Sequence, residues 1–109
     1  MNEDRISLHR EIKFKAEKGI LYTPHAIAQM NSETRMITAE EVERTINIGK
    51  IIENYPEDKR GHSCLINALV DKRNIHVVCA PKDEYVAIIT AYIPHPEKWN
   101  ITFDKREIE

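Results

Sequence analysis

The chain has 109 residues, 31% of them charged, with a net charge of −2 and two cysteines. This length suits one domain over residues 1–109 whose core needs neither metal nor disulfide, and the near-neutral balance argues against broad nucleic-acid binding, though a local groove can still be positive. No apolar run approaches the roughly 18 residues that cross a membrane, and the charged N-terminus lacks a signal-peptide core, so a cytoplasmic protein with no membrane contact is expected.

The first half reads as helices. Residues from about Asp4 to Lys18 place Leu8, Ile12 and Ala16 on one stripe, and Gly19 stops the run. Thr23-Pro24 is a helix start with Thr as N-cap and Pro at N1, and the short helix behind it is expected to turn Ala26, Ile27 and Met30 inward. A third helix is signalled most clearly. Thr38 and Glu41 form a capping box, Ile37 and Val42 can staple, and Gly49 closes the C-terminus.

The second half reads as strands: Lys50–Tyr55, Ser63–Val70, Ile75–Ala80 and Tyr85–Ile93. Connections at Pro56–His62, Asp71–Asn74 and Lys82–Glu84 are short, which implies an antiparallel meander. The expected class is therefore α+β, with N-terminal helices on one face of a four-stranded antiparallel sheet and the other face open. Period-2 alternation puts Cys64, Ile66, Ala68 and Val70, then Ile75, Val77 and Cys79, then Ala87, Ile89, Ala91 and Ile93 towards the helices. A three-residue loop, Lys82-Asp83-Glu84, pairs Pro81 with Tyr85 and His76 with Thr90. The outer row then reads Asn67, His76, Thr90, with Tyr92 nearby.

Cys64 and Cys79 fit buried thiols. CxxC, HExxH and zinc-deaminase patterns are missing, and the five histidines lack ligand spacing, so no metal or cofactor is expected. Neither a Gly-rich phosphate loop nor GxSxG occurs, which weighs against nucleotide-binding and serine-nucleophile enzymes.

Several segments together resemble a known family. They are Thr23-Pro24-His25-Ala26, Met30, Arg35, Ile37-Thr38-Ala39-Glu40-Glu41-Val42, Gly49-Lys50-Ile51-Ile52-Glu53-Asn54-Tyr55, His76-Val77-Val78 and Ile89-Thr90-Ala91-Tyr92-Ile93-Pro94…Trp99…Arg106. The chain resembles a family of small bacterial and archaeal proteins of unknown function, thought to be related to RelE-like toxins. Gln29 departs from the pattern, where an Arg commonly precedes the Met. The resemblance implies a RelE-like fold, metal-independent RNA cleavage, and a toxin–antitoxin setting with RNA and a small zinc-finger antitoxin as partners.

Metal-free RNA cleavage needs a base for the ribose 2′-hydroxyl, an acid for the leaving oxygen and cations for the phosphorane. His76 and His25 are the imidazole candidates, and Tyr92 can position a phosphate or donate a proton. Arg35, Lys98 and Arg106 are candidate phosphate clamps, and Trp99 a base platform, with Asn67 and Thr90 on the same outer row. Each residue also has a plainer role: His25 as a cap or packing group, Trp99 as a lid over the core edge, Arg106 as the partner of a helix carboxylate, and Tyr92 as an anchor for the strand's exit. The alternative to a ribonuclease is therefore a non-catalytic protein-interaction module of the same fold.

Overall fold

Residues 3–32, 36–100 and 102–106 are described by the computed structural model of the chain. The helix signals of the first half are realised as α1 (Glu3–Lys18), α2 (Pro24–Met30) and α3 (Ala39–Ile48). Thr23 Oγ1 accepts from the Ala26 amide at 3.0 Å to cap α2. Both arms of the α3 capping box form, Glu41 N to Thr38 Oγ1 at 3.1 Å and Thr38 N to Glu41 Oε1 at 2.9 Å. Ile37 and Val42 are buried beside it as the staple requires. Ile27, expected inward, is instead exposed on α2, where Ala26 and Met30 supply the buried contacts.

Gly49 ends α3 for a different reason than helix-capping glycines usually do. Its backbone is extended rather than left-handed (φ −82°). A Cβ there would stand 2.6 Å from the carbonyl oxygens of both Asn67 and Thr45, so only glycine lets the chain pass so close.

The strands are β1 (Ile20–Tyr22), β2 (Lys50–Tyr55), β3 (Ser63–Val70), β4 (Arg73–Pro81) and β5 (Val86–Tyr92). Among the described residues they form one five-stranded sheet in the order β1-β5-β4-β3-β2. The four-stranded antiparallel expectation is corrected here, because β1 adds a parallel edge against β5 (Leu21 opposite Ala87). Three residues after a helix-stopping Gly19 carry too little periodicity to announce a strand. The β3–β4 connection is also tighter than expected, a two-residue turn with Asp71 and Lys72 both at positive φ (50° and 75°).

Two bulges decide which side chains face where. In β2, Ile51 opposes Ile66 but Glu53 opposes Leu65, leaving Ile52 as the extra residue. In β5, Cys79 opposes Ile88 whereas Val78 opposes Thr90, leaving Ile89 as the extra one. The expected pairing of Pro81 with Tyr85 is replaced by Pro81 with Val86, because the loop has four residues rather than three. The bulge adds a second shift, so that His76 pairs with Tyr92 instead of Thr90. Likewise Val86 and Ile88 take the helix-side places expected of Ala87 and Ile89, whereas Ala91 and Ile93 face the helices as expected. Thr23 secures this bulge, its Oγ1 donating to the Ile89 carbonyl at 3.0 Å.

The helix-side core joins Leu8, Ile12, Val42 and Ile46 to Ile66, Ile75, Val77 and Ile88. Cys64 and Cys79 are buried in it as free thiols directly opposite each other on β3 and β4. The opposite face is not open as expected. Chain beyond β5 folds back over it, burying Trp99 and covering His76, with Leu65, Ala80 and Ala87 buried outside the helix-side cluster. No described helix is long and apolar enough to cross a membrane.

Candidate functional site

The outer face gathers six side chains: Glu53 and Tyr55 from β2, His76 from β4, Tyr92 from β5, and Trp99 and Arg106 from the returning segment. The β2 bulge is what brings Glu53 and Tyr55 here; in an unbroken alternation both would share the face of Ile51. A short antiparallel bridge between Trp99 and Arg106 shapes the returning segment. Asn100 organises its turn, with Oδ1 accepting from the amides of Asp104 (3.0 Å) and Lys105 (3.2 Å).

His76 is fully buried. Its Nε2 stands 2.8 Å from the carbonyl oxygen of Phe103. Since a carbonyl only accepts, Nε2 carries the proton and Nδ1 is left to accept from the Tyr92 hydroxyl, at a long 3.3 Å. Phe103 holds that carbonyl in place from a left-handed backbone (φ 63°), a conformation a bulky residue rarely adopts. The Trp99 ring meets the imidazole edge-on, 4.5 Å between centroids. Burial pushes the His76 pKa down to about 4, although the Phe103 carbonyl and Glu53 pull the other way, so the ring is neutral at pH 7.

Glu53 sits nearer the surface. Arg106 grips it with two bonds, Nε to Oε2 at 2.7 Å and Nη2 to Oε1 at 3.0 Å, and the Tyr55 hydroxyl donates to Oε1. Burial alone would raise this carboxyl, but the Arg106 fork and the Tyr55 hydroxyl outweigh it and hold it below its ordinary value. The Tyr55 phenol is pushed up by burial and by the Glu53 charge. Tyr92 is raised chiefly by burial, against the opposing pull of Arg106. Arg106 also lies over the Trp99 ring, 4.6 Å from its centroid. The result is a half-exposed carboxylate, phenol and guanidinium over a buried imidazole.

Of the residues expected to act together, His76, Tyr92, Trp99 and Arg106 do converge. His25 does not join them; it is exposed on α2, whose buried residues belong to the helix-side core on the other side of the sheet. Arg35 lies outside the described residues. Asn67 faces His76 across the β3–β4 ladder and accepts from Asn74 Nδ2 at 3.1 Å. Thr90 opposes Val78, two residues removed from His76. Lys98 is exposed in the turn before Trp99. Glu53 and Tyr55, which sequence reasoning did not place here, share an i, i+2 spacing that could have flagged them as one face. No group of three or more His, Cys, Asp or Glu side chains among the described residues is arranged to hold a metal ion.

Residues 22–93 match a family described as a domain of unknown function (DUF4258), and the chain belongs to that family. No curated protein and no solved structure matches the chain.

Proposed function

We propose that the outer face is a metal-independent RNA-cleaving site, centred on Glu53, Tyr55 and Arg106 rather than on His76. The observation that carries this reading is the Glu53 carboxylate, held between a guanidinium fork and a phenol at a half-exposed surface. In the resting protein Arg106 neutralises Glu53. A phosphodiester entering the face competes for the guanidinium, which matches phosphate as well as it matches carboxylate. Glu53, released, regains the basicity that pairing had removed.

The reaction then balances with the chain's own groups. Glu53 takes the proton of a ribose 2′-hydroxyl, whose oxygen attacks phosphorus while the bond to the 5′-oxygen breaks. The Tyr55 hydroxyl gives its proton to that leaving oxygen and is reprotonated from Glu53. Arg106 faces the charge that builds on the phosphorane. The products are a 2′,3′-cyclic phosphate and a 5′-hydroxyl. His76 is a positioning residue in this scheme, fixing Tyr92, Trp99 and the Phe103 carbonyl. The biological setting proposed is a toxin–antitoxin pair with a small zinc-finger partner.

Glu53→Gln tests this directly, since it keeps shape and removes the base. Cleavage should fall roughly 100-fold or more. A Glu53→Gln variant as active as wild type overturns the assignment. The full burial and hydrogen-bond saturation of His76 favour one second reading, an interaction module in which the cluster only fastens the returning segment. Tight binding of a small protein partner by a chain that cleaves no RNA would select it.

A further inference from the structure

On the helix side of the sheet, away from Glu53 and Arg106, α1, α3 and β1 meet around a cleft of about 360 Å³. Ala16, Ile20 and Ile46 give it an apolar lining. Lys13, Glu17, Glu43 and Asn47 give it a polar one. Among the described residues these four side chains have no hydrogen bond or ion pair, and Glu43 acts on Tyr22 only through space. Tyr22 also lines the cleft, and its hydroxyl is buried without a hydrogen-bond partner among the described residues.

Two carboxylates against one ammonium leave the lining with an excess negative charge. An anion would meet Glu17 and Glu43 at close range, and a purely apolar guest would make no use of their charge. The apolar half, in turn, calls for a stem that a simple inorganic ion lacks. A cleft of this size falls in the range of small-ligand sites. A planar guanidinium offers five donors, enough to serve two carboxylates and an amide oxygen together, which a compact ammonium does less well.

We propose that this cleft is a binding site for an alkylguanidinium group, the chemistry of an arginine side chain, either free or presented by a partner chain. The site is independent of the RNA-cleavage reading and lies on the other side of the sheet.

The test is an amide NMR titration of the full chain with three probes: butylguanidinium chloride, sodium butyrate, and a blocked Gly-Arg-Gly peptide. Saturable shifts at Ile20, Tyr22, Glu43 and Asn47 are expected with the guanidinium and not with butyrate. A Glu17→Gln/Glu43→Gln variant should bind about tenfold or more weakly, because charge-assisted hydrogen bonds are lost. Glu17 and Glu43 are exposed, so the fold should survive the change, and Glu97→Gln in the C-terminal turn should leave binding unaltered. Tighter binding of the peptide than of butylguanidinium identifies a partner's arginine as the source. Equal binding identifies a free small cation. Butyrate shifting the same amides, guanidinium shifts that persist in the double variant, or no saturable shift at millimolar probe would each overturn the proposal.

Discussion

Arg106 reaches from the end of the described chain to Glu53 on β2 and closes on it with two parallel hydrogen bonds, 2.7 and 3.0 Å long. The pair fastens the returning segment across three strands of the sheet, with Trp99 held beneath. Its sequence separation means that the contact exists only once β2 to β5 are assembled.

Breaking this fastening should loosen the segment more than it destabilises the fold. Arg106 and Glu53 side chains retain 46% and 23% of their exposure, so solvent screens the pair and a double-mutant cycle should give about 1 kcal/mol. Trp99 fluorescence should shift to the red in Arg106→Ala, and iodide should quench it more strongly than in wild type. Unchanged quenching would show that the segment is held without the ion pair.

His76 predicts a particular pH dependence. Its folded pKa, about 4, lies below the unfolded value of 6.5, so the unfolded chain takes up the proton first. Stability from this group is complete above about pH 6.5 and declines as pH falls towards 4, by a total on the order of 3 kcal/mol. Glu53 adds its own loss only lower, as pH falls through its depressed carboxyl value. Urea midpoints measured from pH 7 to pH 4 should therefore fall in wild type and fall less in His76→Phe, after allowance for that variant's lower baseline. Parallel curves would rule out His76 as the titrating group.

Gly49→Ala should destabilise by roughly 1–3 kcal/mol, since the new methyl meets two backbone carbonyls that cannot turn away. Thermal unfolding should reveal it against Gly19→Ala, whose Cβ would find its nearest neighbour at an ordinary 3.5 Å. Equal shifts in the two variants would contradict the close-approach account.

The three helices and the long strands were legible because each carries its own local signal. Thr38 and Glu41 wrote the start of α3, and Cys64 to Val70 wrote the helix-side face of β3. What stayed hidden depends on distant partners. β1 exists because β5 offers it an edge, not because Ile20 to Tyr22 alternate. A single extra residue at Ile52 turned Glu53 outward, and one at Ile89 reversed half of β5, since a period of two has no tolerance for a bulge. Of the outer cover only Trp99 is legible, as a lid, and it is indeed buried. That the lid lies on His76 is hidden, because the segment around Trp99 has no periodicity to reveal what it covers. His76 and Tyr92 do share one face, as alternation implies, but the imidazole is interior and its partner across the ladder is Tyr92 rather than Thr90.

The central claim, that the Glu53 face cleaves RNA without a metal, is tested most directly by product chemistry. Purified chain is incubated with single-stranded RNA in excess chelator, and the new ends are identified by mass spectrometry. The account predicts fragments ending in 2′,3′-cyclic phosphate, with matching 5′-hydroxyl ends, from wild type and almost none from Glu53→Gln. No cleavage in chelator, cleavage that returns only with added divalent metal, or 3′-hydroxyl products would contradict it.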